Sequence, residues 1–297
     1  MLLRVVHQNE YVYAPPVKTA QHMAHLKPAH DAHQRLASHR LRIAPEPEQL
    51  REGVDVFGNT RAYFSVQSVH ERLEVVADSL VSTTTTPPID NDISWEDARE
   101  RMRYQRGSHY DPAAGFAFAS TYVPRHERLL EYALSSFTAG RPLVDAAREL
   151  MHRIHEDFEY VAAATDVGTP ALKAFELRQG VCQDFAHVML GCLRSLGLAA
   201  RYVSGYLLTE PPPGMPRLVG ADASHAWLAL YLPRADGAGE WMGLDPTNDR
   251  SPGEDYVRLA TGRDYADVSP MRGVIQGGAN HTLKVAVTVA PVPKFGA

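Results

Sequence analysis

The amino-acid sequence predicts an α+β protein in which an N-terminal antiparallel β-domain precedes a domain of helices packed on a second antiparallel sheet. Three observations carry this reading. Alternating apolar residues broken by turn signals run to about Val81, a segment rich in Thr and Pro follows, and beyond it the apolar spacing changes to three and four before strands return. The 297 residues suffice for two domains of ordinary size. With 44% hydrophobic and 22% charged residues, the chain has a folded protein's composition, which excludes disordered, collagenous and low-complexity classes.

The strands of the first part are LLRVVHQNEYVY, HRLRIAP, TRAYFSV and RLEVVADSLV. In the last of them Leu73, Val75 and Ala77 alternate with Arg72, Glu74 and Val76. Gly58-Asn59, between Val56-Phe57 and Tyr63-Phe64, marks a turn. Together they predict an antiparallel unit over residues 1–82, of sandwich type. Residues 82–88 carry no apolar period and end in two prolines, so 83–90 are expected to form a linker and 91–297 the second domain.

In that second domain Leu129, Leu130, Ala133, Leu134 and Phe137 form a helical stripe. Pro142 opens another helix, whose apolar face holds Leu143, Ala147, Leu150, Met151, Ile154 and Phe158. Gly180 precedes VCQDFAHVMLGCLRSLGL, a helix apolar around most of its circumference and therefore buried, with Gly197 at the C′ position. Three strands come next, ARYVSGYLL, SHAWLALYL and EWMGLDP. After a Gly-rich stretch, a last strand alternates Leu283, Val285, Val287 and Val289 with Thr282, Lys284, Ala286 and Thr288.

Thirty Lys and Arg against 35 Asp and Glu leave a net charge of −5, which supplies no field for wrapping nucleic acid or anionic lipid. No window approaches the roughly 18 unbroken apolar residues of a membrane span. The start, MLLRVVHQNEYVY, lacks the apolar stretch of a signal peptide, and two cysteines cannot staple a chain of this size. The expectation is a cytoplasmic protein without nucleic-acid or membrane partners.

Three residues have the types and positions that acyl-transfer chemistry needs. Cys182 stands at the first turn of the buried helix, where the partial positive charge favours a thiolate. His225 shares one strand face with Trp227, Ala229 and Tyr231, and Asp245 ends the following strand on the face of Trp241 and Gly243. Taken singly, each has a plain structural reading: a small buried hydrophobe, a satisfied strand histidine, a turn cap before Pro246-Thr247-Asn248. Taken together they are nucleophile, general base and orienter, with room between them for a helix-to-sheet crossing and one hairpin. Cys192, mid-helix among leucines, keeps the structural reading.

The segments GVCQDFAHVMLGCLRSLGLAARYVSGYL, SHAWLALYLP and EWMGLDPTND resemble the core of the transglutaminase-like superfamily of cysteine enzymes. The strands around DVFGN and the later GRDYADVSPMRGVIQGG resemble its bacterial branch, which joins an N-terminal β-domain to that core. The resemblance implies a papain-like fold, catalytic positions at Cys182, His225 and Asp245, and a thioester that water or an amine resolves. The Cys182 N–H is the first candidate oxyanion donor, and Gln179, Gln183 or Trp227 a second. Asp184 either complements the helix dipole or supports the site from behind. The implied activity is hydrolysis of a peptide or protein amide or isopeptide bond, ahead of protein-glutamine crosslinking, because nothing resembles the calcium-binding segments of animal transglutaminases. A non-catalytic binding module ranks third, and arylamine acetyltransferases resemble the chain less.

No cofactor or metal is expected. His22, His25, His30, His33 and His39 are irregularly spaced, with no Cys or acidic cluster to complete a tetrahedral site. Cys182, His225 and Asp245 lack a local ligand pair for zinc, and no Lys-Ser/Thr follows Gly273, Gly277 and Gly278 to make a phosphate loop. Trp227, Tyr231 and Trp241 are candidates to wall a cleft near the β-domain.

Overall fold

The computed structural model describes residues 1–85, 87, 89, 92–103, 110–162, 164–209, 224–234 and 239–293. Thr86, Pro88 and Asp90 of the expected linker lie outside the described residues. Five strands open the chain: β1 (Leu2–Ala24), β2 (Gln34–Ala44), β3 (Gln49–Val54), β4 (Thr60–Val66) and β5 (His70–Thr83). Then come α1 (Trp95–Arg101), a 3-10 turn (Pro112–Ala117), α2 (Glu127–Leu134), α3 (Leu143–Asp157), the short β6 (Glu159–Tyr160), α4 (Ala171–Leu177), the short β7 (Gln179–Gly180) and α5 (Cys182–Ser195). The chain continues through β8 (Ala200–Leu207), β9 (Ser224–Leu232), β10 (Glu240–Leu244), β11 (Tyr256–Gly262), α6 (Tyr265–Val268), β12 (Met271–Gly277) and β13 (Asn280–Pro291).

β1 is the spine of a seven-stranded antiparallel sheet of order β2-β5-β1-β4-β3, to which β12 and β13 add by pairing with β1. Residues 2–12 run between β5 and β13, whereas residues 20–24 run between β4 and β12. The exchange of partners falls around Pro15-Pro16, which have no N–H to give to a ladder. One sheet thus replaces the expected sandwich. Residues 271–291, which the sequence reading places in the second domain of 91–297, return to pair with β1 and extend this sheet. In β13 only Val287 and Val289 are buried, while Leu283 and Val285 face solvent. Val287 and Val289 pack with Leu3, Val5 and Val81 against Tyr206, Val257 and Leu259, and this cluster fastens one sheet to the other. β3 is an edge strand of mostly exposed residues, and its QLREGV carries no alternation for sequence to reveal.

The second sheet is antiparallel, of order β10-β9-β8-β11. Ala226, Leu228, Leu230 and Leu232 of β9 form its inner face and pack with α5, around which α2, α3 and α4 gather. The stripe expected of α3 is buried from Leu143 to Ile154, and Pro142 is its N-cap. α2 is shorter than its stripe: Leu129, Ala133 and Phe137 are buried, but the helix ends at Leu134, which turns off that face and is 43% exposed. Residues 183–194 of α5 are all buried, and Gly197 closes the helix with φ 86°. Arg194, fully buried, donates to the carbonyls of Ala200 and Arg263 and to Ser120 Oγ, with its pKa pushed down to about 10 by desolvation. These bonds fix the far end of α5 to β8, so the residue at its near end is held in register with the sheet. Truncating one buried leucine of α5, such as Leu190, would cost about 2–5 kcal/mol.

Candidate active site

Cys182 is the first residue of α5, following Val181 at the N-cap. Valine has no side-chain acceptor, so the cap comes from inside the helix. Asp184 Oδ2 accepts the Val181 N–H at 2.8 Å and the Thr165 hydroxyl at 2.6 Å. Gly180 makes this possible, because a Cβ there would lie 2.5 Å from Asp184 Oδ2. β6 and β7 pair in parallel, and the Val161 N–H donates to the Gly180 carbonyl at 2.9 Å. Burial raises the Asp184 carboxyl above its usual pKa, more than its bonds to Thr165 and Val181 lower it. The half-buried, free Cys182 therefore sits on a turn braced from both sides.

His225, near the start of β9, stands opposite Gly205 of β8. A Cβ on Gly205 would come 2.6 Å from the Trp227 ring and 2.2 Å from the Val257 carbonyl oxygen, so glycine is what lets Trp227 lie across β8. Trp227 then stacks on His225 (centroids 5.9 Å, 25°) and meets Tyr256 edge-on (5.3 Å, 81°). In the neighbouring strand Leu244 pairs with Leu228, which brings the next residue, Asp245, to the face of Trp227 and His225.

His225 Nε2 lies 2.7 Å from Asp245 Oδ2. That oxygen also accepts from Tyr256 Oη and Asn248 Nδ2, both at 2.7 Å. Oδ1 accepts the N–H groups of Thr247 at 2.9 Å and Asn248 at 3.3 Å. Burial disfavours the Asp245 anion, but the His225 bond and charge and these further donors outweigh it, and the pKa falls below the carboxylate range. An ionised carboxylate only accepts, so Nε2 carries a proton and Nδ1 is the nitrogen left for the thiol. The Cys182 thiol is near enough to this imidazole to raise its pKa. Burial lowers the His225 pKa, yet the bond to Asp245 and then the nearby Cys182, with their charges, raise it to about 9. Cys192, by contrast, is sealed in the core, where desolvation pushes its thiol up to about 12.

The structure thus brings Cys182, His225 and Asp245 together, and it deploys the candidate second donors otherwise. The Gln179 amide donates to Glu159 Oε2 at 2.8 Å, the Gln183 amide to the Val167 carbonyl at 3.1 Å, and Trp227 is a wall of the imidazole. The Cys182 N–H lies in the first helical turn, where α5 itself offers no acceptor. Three neighbours escaped the sequence reading. Asn248 follows Asp245 in an Asx-type turn that the residue types could have signalled, whereas Tyr256 arrives from β11 and Tyr160 from β6 by long-range pairing. Tyr160 is 57% exposed, and burial and the charge of Cys182 raise its phenol pKa.

The histidine-rich segment disperses. His22 stacks on Phe64, His25 bonds the Ser269 carbonyl and His39 bonds Ser79. Among the described residues no three His, Cys, Asp or Glu side chains converge as a metal site, and no helix is long and apolar enough to cross a membrane.

Residues 133–246, which contain the thiol, the imidazole and the carboxylate, match the model of the transglutaminase-like superfamily, and residues 3–82 match the bacterial transglutaminase-like N-terminal region. An uncharacterized protein of Mycobacterium tuberculosis is 40% identical over 294 residues, covering 97% of this chain and 92% of the relative. The chain belongs to the transglutaminase-like superfamily. A further superfamily relative, the protein-glutamine gamma-glutamyltransferase of Pseudomonas aeruginosa, is 30% identical over 132 residues, 43% of this chain and 19% of that one. Among solved structures, a candidate cysteine protease from Cytophaga hutchinsonii superposes with a TM-score of 0.74 at 20% identity, covering 100% of this chain and 92% of the other. The α+β, papain-like fold expected of the superfamily, with its N-terminal β region, is therefore the fold of this chain.

Proposed function

We propose that the protein is a cysteine hydrolase that opens an amide or isopeptide bond of a peptide or protein through a thioester on Cys182. The observation that supports this reading is the His225 imidazole bonded to a buried carboxylate with five donors, on a strand that packs against the helix Cys182 begins. In the proposed sequence, His225 holds the thiol proton as an imidazolium while the sulfur attacks the amide carbon. The Cys182 N–H, free in the first turn, receives the developing oxyanion. The imidazolium then gives its proton to the leaving amine, the C–N bond breaks and the thioester remains. Water, deprotonated by His225, attacks the thioester, and collapse breaks the C–S bond, releasing the carboxylic acid while the imidazolium returns its proton to the sulfur.

A second reading replaces water by a primary amine and makes the enzyme a protein-glutamine transglutaminase. It is favoured by the similarity to the gamma-glutamyltransferase of Pseudomonas aeruginosa. Intact-mass analysis of peptide libraries incubated with the enzyme, with and without a primary amine and with Cys182→Ser as the control, tests both. Free acids that need the thiol support hydrolysis. Amide conjugates that outnumber free acids at low-millimolar amine replace it with transfer, and products that persist in Cys182→Ser sink both.

A further inference from the structure

The end of the second sheet remote from Cys182 opens on a cavity of about 890 Å³ that also touches the first sheet. Roughly 20 Å of extended strand separates His225 from Tyr231, which lines this cavity from β9. Phe116, Tyr231 and Trp241 give it an aromatic wall, their rings 5.4 and 5.0 Å apart in sequence of contact.

Its carboxylates are already committed. Asp267 clamps Arg263 through Nε at 2.8 Å and Nη2 at 2.9 Å. Asp111 caps the 3-10 turn through the Ala113 N–H and accepts the Tyr231 hydroxyl. Asp55 accepts the N–H groups of Phe57 and Asn59 and the Asn59 amide, and stands 3.4 Å from His25. Among the described residues the remaining guanidinium groups have no such partner. Arg61 reaches Met23 Sδ and lies 4.9 Å over the Tyr63 ring, and Arg272 reaches Met23 Sδ and the Ala266 carbonyl. Arg201 lies 4.1 Å over the Trp241 ring, with no carboxylate paired to it among the described residues. The Nε of Arg61 and the Nε of Arg201 are both buried without an acceptor. Buried guanidinium groups are ordinarily paired, because leaving their donors unmet costs stability.

We propose that this cavity is a second, non-catalytic binding site for an oxyanion, a carboxylate or a phosphate, borne on a small ligand with a flat apolar body. The guanidinium forks of Arg61, Arg201 and Arg272 offer parallel N–H donors that match such an anion, and the aromatic wall takes the body. Arg61 belongs to β4 and Arg272 to β12 of the first sheet, while Arg201 belongs to β8 of the second. A ligand held by all three bridges the sheets and stabilises their docking. The site is independent of the acyl chemistry at Cys182.

Calorimetric titration and thermal unfolding of the full chain test this, with phenyl phosphate and inorganic phosphate as one arm and benzoate and citrate as the other. One saturable site with a raised melting temperature is expected in at least one arm, and the arm that binds identifies the anion. Arg272→Gln, at an exposed position, and Arg201→Gln should each weaken binding about tenfold or more. Arg40→Gln, on exposed β2, should leave it unchanged. Failure of both arms to saturate by about 10 mM, an affinity too weak for paired guanidinium recognition, overturns the proposal. Binding that survives unchanged in both Arg272→Gln and Arg201→Gln overturns it equally.

Discussion

Replacing Asp245 by Asn removes one charge from a carboxylate that is fully buried and keeps nearly the same shape. The new amide nitrogen must face either the three donors now at Oδ2 or the two backbone N–H groups at Oδ1, so donor meets donor whichever way it turns. Breaking a buried charge pair of this kind costs about 3–5 kcal/mol. The pH dependence is the sharper signature. The His225 pKa stands at about 9 in the folded protein against 6.5 for the free side chain, corresponding to about 3 kcal/mol of linkage. Because the folded value is the higher one, that contribution is fully present below 6.5 and is lost as the pH rises through about 9. Asp245 supplies the largest of the interactions that raise it, with Cys182 second. Urea unfolding across this range should therefore give a fall in stability for the wild type that is mostly absent in Asp245→Asn and only partly reduced in Cys182→Ala. Asp245→Asn should also slow alkylation of Cys182 near neutral pH. An Asp245→Asn protein whose stability falls with pH as steeply as the wild type's would refute the reasoning, since the carboxylate would not be what holds the imidazolium.

Three further outcomes are expected. Iodoacetamide at neutral pH should modify half-buried Cys182 at least about a hundredfold faster than sealed Cys192, as peptide mapping would read; equal labelling would contradict the site. Tyr256→Phe should cost about 1–3 kcal/mol in denaturant melts by removing one donor to Asp245; wild-type stability would argue that the phenol is only packing. Gly205→Ala should destabilise by more than about 1 kcal/mol and displace Trp227, seen as a shift in tryptophan emission, because its Cβ would overlap the Trp227 ring and the Val257 carbonyl; wild-type stability and emission would mean that β8 and Trp227 do not approach so closely.

Most of what residues 180–245 hold is legible in the order of their amino acids. The all-round apolar pattern identifies α5 as buried and Gly197 as its end, and strand parity puts His225 and Trp227 on one face and Asp245 on the matching face of the next strand. Even the local cap follows from short-range chemistry, since Gly180, Val181 and Asp184 all lie within one turn. Spacing does not separate Gln179 from Gln183, and their amides are spent on Glu159 and Val167, acceptors supplied by distant segments.

Periodicity tells which side of an element meets apolar surroundings, and for α3, α5 and β9 the amino-acid pattern was enough to establish that much. It is silent on which element provides those surroundings. The strand alternation of β13 suits any sheet, and only the burial of Val287 and Val289 between Leu3, Val5 and Val257 decides that residues 280–291 return to β1. The same holds for Tyr256 on Asp245 and for the three arginines of the second cavity, whose neighbours come from strands far apart in the chain. Pairing between distant segments is chosen by the burial and hydrogen bonding of the whole fold, a sum over many residues that no local window contains.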